Sequence, residues 1–297
     1  MLKIAIIGLG SMGKNHYRIL KDLDGVEIVA LCDVVTQDGF DEPFYTNVDK
    51  MLEEAAPDAA MIIVPTSLHK ELTLKCVEHG VHMFIEKPAA STIEDAKLMA
   101  KAVKEAGLKS CVGHVERFNP VVEALKNEIT DKEIYSVAIT RVGPFPPRIA
   151  DVGVLTDLSV HDIDLIRFIT HRNILKQSIF KSRKIHNHHE DNAVLSFELE
   201  DSVIADITTN WLTPFKKRKI EVACKDAYYE ADLMSQSLTV YSDYHEDNSY
   251  VVRGCYIKKD EPLLKELEGF VHYIKTGEIG SLATIEDSII TLEVVNQ

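Results

Sequence analysis

The sequence predicts an α/β protein in two parts: a parallel sheet wound with helices, then an α+β domain built on a mostly antiparallel sheet. Three observations lead there. Up to about residue 113, short apolar runs alternate with segments of helical period. The first apolar run breaks into Gly8-Leu9-Gly10-Ser11-Met12-Gly13. Beyond Asn119-Pro120 the pattern changes to period-two runs joined by tight turns such as Glu200-Asp201 and Lys225-Asp226. At 297 residues the chain is long enough for two domains. The expected division is 1–118 and 119–297, with a C-terminal helix able to pack back on the first domain.

In the first part, strands are expected at 2–7, 26–32, 59–64, 81–85 and 109–113, with helices at 14–22, 48–54, 68–78 and 93–105. The glycines after the first strand match a dinucleotide-binding Rossmann opening. Gly8 permits a sharp turn, Gly10 lets backbone amides approach a pyrophosphate, and Gly13 lets the next helix pack close to the sheet. The helix N-terminus, with Ser11 and Met12 leading into it as cofactor-binding residues, then meets the phosphates with unpaired N–H groups and a partial positive charge. The second strand ends in Cys32-Asp33, and Asp33 stands 20 residues past Gly13. A carboxylate there accepts hydrogen bonds from both adenosine ribose hydroxyls and repels a 2′-phosphate. Val34-Val35-Thr36 offers no cation for such a phosphate, so NAD is the expected cofactor. Asp33, Pro65-Thr66, Glu86-Lys87 and Gly113-His114 all fall near strand carboxyl ends, where sheets of this kind bind ligands.

In the second part, strands are expected at 134–142, 177–185, 192–199, 202–209, 216–224 and 227–231, and helices at 120–128, 157–170, 261–276 and 284–296. An outer sheet face carrying apolar positions such as Val194 and Val203 needs a cover. A homodimer or homotetramer joined through that sheet is therefore expected.

Composition bounds the partners. A formal net charge of −14 argues against nucleic acid, which rewards clustered Lys and Arg. Five cysteines without a C-x-x-C pair suggest a reducing compartment rather than a disulfide framework. The apolar start is broken too early by glycine for a secretory signal, and no run reaches the length of a membrane span. The expectation is a cytoplasmic protein that acts on a small molecule.

Three places carry candidate chemistry. Lys87, in Glu86-Lys87-Pro88, projects from a strand end, where an ammonium can stabilise a developing alkoxide or hold a substrate oxygen. An exposed lysine in a turn is the plain alternative. Asp157 and His161 are four apart on an expected helix, so they share a face, with Asp164 nearby. A histidine can take a hydroxyl proton while a neighbouring carboxylate orients its ring. A capped helix with a satisfied histidine is the alternative, and no metal is expected. His186, His188 and His189 read as loop residues rather than metal ligands. Lys216-Lys217-Arg218-Lys219 is a basic island in an acidic chain. A diphosphate would suit it, and Trp211 can stack on a uracil or sugar face. Strand alternation lets only Lys216 and Arg218, or only Lys217 and Lys219, face one site. A solvated edge strand protected by charge is the competing explanation.

The glycine motif, Asp33, Pro65-Thr66-Ser67-Leu68-His69, Glu86-Lys87-Pro88 and Asp157-x-x-x-His161-Asp162 together resemble the glucose–fructose oxidoreductase / inositol dehydrogenase family of sugar oxidoreductases, over nearly the whole chain. The resemblance implies catalytic positions at Lys87, Asp157 and His161, Glu86 by the nicotinamide ribose, and Thr66 and His69 along the cofactor. It also implies a cis peptide before Pro88. Gly113-His114-Val115-Glu116-Arg117-Phe118-Asn119-Pro120 and the segment from Asn210 to Arg218 look most like the family's UDP-N-acetylglucosamine 3-dehydrogenases. Inositol and free-sugar dehydrogenases tend to differ where Asn119 stands. Arg117 and Asn119 are then candidate substrate residues with Trp211. Residue type alone leaves a structural ion pair for Arg117 and a helix cap for Asn119 equally open. The implied activity is NAD-dependent oxidation of the C3 hydroxyl of UDP-N-acetylglucosamine. The alternatives are oxidation of an inositol or unactivated sugar, and a non-catalytic NAD-binding regulator.

Overall fold

The structure is a computed structural model that describes residues 1–146 and 152–296. Its first elements alternate: β1 (Leu2–Ile7), α1 (Ser11–Lys21), β2 (Val26–Cys32), β3 (Phe44–Tyr45), α2 (Val48–Ala55), β4 (Ala59–Ile62), α3 (His69–Glu78), β5 (His82–Ile85), α4 (Ile93–Glu105) and β6 (Ser110–Val112). Then come α5 (Pro120–Ile129), β7 (Ile134–Pro144), a π-helical turn at Leu155–Ser159 and α6 (Val160–Thr170). Strands β8 (Ile174–Ser182), β9 (Asn192–Leu199), β10 (Ile204–Asn210), β11 (Leu212–Cys224), β12 (Ala227–Asp232), β13 (Ser237–Ser242) and β14 (Val251–Cys255) follow. Helices α7 (Pro262–Thr276) and α8 (Ile285–Val295) close the chain. By compactness it divides into Met1–Val115 with Leu263–Glu293, and Glu116–Pro262 with Val294–Gln297.

The first unit holds a six-stranded sheet in the order β3-β2-β1-β4-β5-β6, with every ladder parallel. The order reverses between β1 and β4, which opens a crevice at their carboxyl ends. Strand residues such as Ile4, Ile6, Met61 and Phe84 are buried because helices cover both faces of a parallel sheet. Helix α1 begins at Ser11, three residues before the expected start, because Gly10 caps it and its carbonyl accepts from the Lys14 amide. Asn47 and Thr92 cap α2 and α4 by accepting the amides of Lys50 and Asp95. Residues 263–293 return to this unit: Ala283 bridges to Val112, and Ile285, Ile289 and Leu292 join its core. The two-residue β3 is too short for a periodic signal and was not expected.

The second unit holds an eight-stranded sheet in the order β14-β13-β12-β11-β7-β10-β9-β8, antiparallel except for the β7/β10 ladder. One face packs on α5 and α6 through Val137, Ile139, Leu195, Ile207 and Ile220 against Leu125, Ile163 and Ile166. Strands β13 and β14 lie beyond those expected. Val203 is fully buried, contrary to its expected place on the outer face. It shares the inward alternation of Ala205 and Ile207, so the outward residue there is Ile204. The expected strand at 177–185 sits three residues earlier, because the Asp191 carboxylate draws the amides of Lys184, Ile185 and His186 out of the ladder. Helix 157–170 is likewise two pieces, a π turn and then α6.

Candidate functional site

In the first unit, a cavity of about 560 Å³ lies at the carboxyl ends of β1, β2 and β4. Gly8, Gly10 and Asp33 line it, with Val34, Pro65, Leu68 and Leu72 supplying apolar walls. Each glycine answers to a different neighbour. Gly8 has φ +97°, and a side chain there would strike the Ile63 carbonyl at the switch point between β1 and β4. A side chain on Gly13 would strike the Gly8 carbonyl, so this glycine seats α1 against the sheet. At Gly10 an added Cβ meets no atom within 4 Å. No packing explains Gly10, whereas a phosphate drawn close to the backbone would need that space. Helix α1 has no side-chain cap and no acid in its first turn, which leaves its N-terminal amides to an anion. Ser11 and Met12 stand exposed at that turn.

Asp33 is held in place from below. Its Oδ2 accepts the Leu9 amide at 2.7 Å and is approached by Gln37 Nε2 at 3.4 Å. This ties the end of β2 to the glycine turn. Lys75 is a cation in the cavity wall, but Asp49 and Glu71 flank it at 2.9 and 3.4 Å. A 2′-phosphate would therefore meet carboxylates around that lysine as well as Asp33. Thr66 opens a 3-10 turn between the cavity residues Pro65 and Leu68.

Glu86 and Lys87 follow β5, and the Lys87–Pro88 peptide is cis. Glu86 Oε1 lies 2.9 Å from Nε2 of His16, a fully buried residue of α1. Burial pushes the Glu86 carboxyl up, but the His16 hydrogen bond, with the charges of His16 and Lys87, brings it below the usual carboxylate range. Glu86 is thus an ionised acceptor. Sequence reasoning missed His16, whose only signal is an imidazole on the apolar face of α1, three residues after Gly13. His69, expected along the cofactor, is buried among backbone carbonyls: Val64 at 2.9 Å from Nε2, and Pro88 and Ala89 at 3.0 and 3.2 Å from Nδ1. Burial holds its pKa below the ordinary imidazole value. It braces the Pro65 turn against the segment after Lys87.

In the second unit, Arg117 and Asn119 are engaged within the fold. Arg117 forks onto Asp164 at 2.6 and 2.7 Å and lies over the Phe168 ring. Asn119 caps α5 by accepting the Val121 amide, and its amide donates to the Leu233 carbonyl at 3.0 Å. These are the ion pair and the cap that residue type had left open. The network continues where Arg141 and Arg218 stand directly opposite each other on β7 and β11. Like charges in that position repel. Glu116 Oε1 offsets this by accepting from both, at 2.8 and 3.1 Å, and Asp162 Oδ1 accepts from Arg141 Nε at 2.8 Å. Burial pushes Asp162 up to about 6 against the pull of Arg141. Burial also opposes the charge on Arg141, but its two carboxylates keep its pKa above the ordinary value. Arg141 was not singled out in the sequence. Its signal was a charged residue in the inward alternation of Val137 and Ile139.

A cavity of about 120 Å³ joins Asp157 to Trp211, with Arg141, Lys216 and Arg218 in its walls. Asp157 belongs to the π turn, and His161 lies in the first turn of α6. Trp211 is buried edge-on to Phe145 at 5.8 Å and near His186 at 6.2 Å. His186 Nδ1 accepts the amides of His188 and His189, so this imidazole shapes its loop. Lys219, one residue past Arg218, pairs instead with Glu230. The basic island therefore divides between two faces, as strand alternation requires.

Comparison with known proteins assigns both parts of the chain. The model of the oxidoreductase family GFO/IDH/MocA, NAD-binding Rossmann fold, matches residues 2–114, and that of the GFO/IDH/MocA C-terminal domain matches residues 133–230. The chain belongs to the GFO/IDH/MocA oxidoreductase family. It is 25% identical to scyllo-inositol 2-dehydrogenase (NAD(+)) of Bacillus subtilis, over 99% of this chain and 92% of that protein. It is 26% identical to UDP-N-acetylglucosamine 3-dehydrogenase of Acidithiobacillus ferrooxidans, over 81% and 77%. A solved structure of the latter enzyme superposes with a TM-score of 0.90 at 22% identity, covering 100% of this chain and 96% of that one, a likeness of fold. The GFO/IDH/MocA assignment makes the first domain an NAD-binding domain. The open space at Gly10, the free end of α1 and the braced Asp33 carboxylate fit NAD.

Proposed function

We propose that the chain oxidises the C3 hydroxyl of UDP-N-acetylglucosamine to the 3-keto sugar. NAD supplies the hydride acceptor. His161 takes the hydroxyl proton, Asp157 orients the imidazole and keeps it basic, and the Lys87 ammonium stabilises the alkoxide as the proton leaves. Glu86, kept ionised beside His16, accepts from a nicotinamide ribose hydroxyl. The observation that carries this reading is the shared cavity of Asp157 and Trp211: a carboxylate of the proton-transfer set opens beside an aromatic ring. The likeness to a UDP-N-acetylglucosamine 3-dehydrogenase over 81% of the chain supports it. The similar identity to a scyllo-inositol dehydrogenase keeps an inositol as the competing substrate.

The test is a substrate panel: UDP-N-acetylglucosamine, UDP-glucose, free N-acetylglucosamine and myo-inositol, each with NAD and an enzyme that removes NADH. Mass analysis should find a product two hydrogens lighter from the UDP-amino sugar. Turnover of myo-inositol alone would move the enzyme to the inositol branch, and NAD binding without any product would favour a sensor.

The assembly surface we assign is the outer face of the second domain's sheet. Phe180, Ile204 and Val194 are 71%, 51% and 39% exposed there, and Phe180 pairs across the ladder with Val194. Apolar side chains grouped on one sheet face favour a cover by a second copy. Light scattering should give a dimer or tetramer for the native chain and a smaller species for Phe180→Asp. A monomeric native chain would refute the assignment.

A further inference from the structure

We propose that Arg218 and Lys216, backed by Arg141, form a receptor for an oxyanion on the substrate. This deepens the reading above, since it names which part of the substrate the small cavity takes. Three observations converge on it. Arg141 is buried, and its Nη2 has no hydrogen-bond partner among the described residues, although Nε and Nη1 are both engaged. A buried guanidinium donor left unmade is costly, and an anion in the cavity that Arg141 lines would remove the cost. Arg218 uses Nη1 on Glu116 and keeps its remaining donors for the cavity that it shares with Lys216. Lys216 has no ion-pair partner among the described residues, whereas Lys219 on the same strand is paired with Glu230.

Size narrows the ligand. The cavity, about 120 Å³ and open to solvent on one side, suits a phosphoryl or carboxylate group seated on its cationic wall, with the rest of the molecule reaching outward. Charge narrows it further. Arg141, Lys216 and Arg218 face one carboxylate, Asp157, across the cavity, while Glu116 and Asp162 hold the two arginines from behind. An oxyanion seated on the cationic wall also places the rest of its molecule beside Trp211 and Asp157. Arg218 and Lys216 are then specificity residues: they select a substrate that carries a phosphate ester or a carboxylate over a neutral polyol.

The test measures binding by calorimetry to the NAD-saturated protein, so that the pyrophosphate site of the first domain is filled. The probes are UDP, inorganic phosphate, glucuronate and neutral N-acetylglucosamine. Arg218→Ala should weaken UDP binding by about tenfold or more, as expected for a charge-assisted hydrogen bond. Lys216→Ala should weaken it by a few-fold at an exposed position. Lys219→Ala removes the same charge from the other face of the strand and should leave it unchanged. Arg218→Lys should restore part of the loss, which a role in packing alone would not give. Binding of phosphate and UDP would identify the oxyanion as phosphoryl, and binding of glucuronate alone would identify it as carboxylate. Equal losses in Lys216→Ala and Lys219→Ala, or tight binding of N-acetylglucosamine alone, would overturn the proposal. Failure of UDP-N-acetylglucosamine to react, with UDP binding still lost in Arg218→Ala, would overturn the substrate reading and leave the receptor standing. Unchanged KM for UDP-N-acetylglucosamine in Arg218→Ala would do the reverse.

Discussion

The glycine end of the first domain's cavity is shaped by backbone, whereas the second domain's cavity is walled by charged side chains. Gly8 and Gly13 let the turn and α1 close onto the sheet, and Gly10 leaves space beside the amides of the helix end. Asp33 stands there as a carboxylate with no ion-pair partner among the described residues, while Lys75 is already matched by Asp49 and Glu71. Around Asp157 the walls are long cations set opposite each other on two strands and shared by buried carboxylates. The first arrangement serves any ligand with the same dinucleotide handle. The second can be retuned by exchanging one side chain, which is how relatives of one fold can act on different sugars.

The sharpest way to separate the two sites is to remove the proposed proton acceptor. His161→Ala should lower turnover by about 10²- to 10⁴-fold while NAD affinity stays within twofold, read by steady-state kinetics and by fluorescence titration of NADH. Loss of cofactor binding instead would mean that the two functions are not divided in this way.

The glycines allow a finer division within the first domain. Gly13→Ala must displace the Gly8 carbonyl and should destabilise the protein by about 3 kcal/mol or more in urea unfolding. Gly10→Ala meets open space, so it should keep native stability and still weaken NAD binding by about tenfold or more. Equal loss of stability in both would show that Gly10 serves packing.

Asp33→Asn should weaken NAD by about tenfold and narrow the preference over NADP, because the charge proposed to bond the ribose hydroxyls is also the one that would repel a 2′-phosphate. Unchanged discrimination would place selectivity elsewhere, for instance with Asp49 and Glu71.

The smallest effect concerns pH and only the second domain. Burial raises Asp162 to about 6, so between about pH 6 and 4 the folded chain takes up a proton that the unfolded chain does not. Its contribution to stability therefore grows as pH falls through that window. Glu116 acts in the opposite sense: burial pushes it up, but Arg141 and Arg218 hold it below its usual value, and its contribution is lost on acidification. Asp162→Asn should remove the first effect and make stability fall more steeply from pH 6 to 4.5. Parallel urea midpoints for the two proteins would contradict this.

The same division explains what the sequence revealed. The glycine turn, Asp33 and the strand ends around Glu86-Lys87 were legible because local chain order alone makes such a site. Arg117 and Asn119 carried two readings, and their partners Asp164, Val121 and Leu233, which supply the structural one, come from contacts that residue type does not show. The pairing of Arg141 with Arg218 depends on a ladder between residues 77 positions apart, which no local pattern announces. His16 and Glu86 are separated by 70 residues in the same way. Val203 was misplaced by one step of alternation, the error to which a period-two reading is most exposed.

The central claim is that NAD takes the hydrogen from C3 of UDP-N-acetylglucosamine. It is tested most directly by supplying that sugar with deuterium at C3 and analysing the reduced cofactor by mass spectrometry. The account predicts NADH carrying one deuterium and a 3-keto sugar carrying none. Unlabelled NADH, or a deuterium retained in the oxidised sugar, would contradict it.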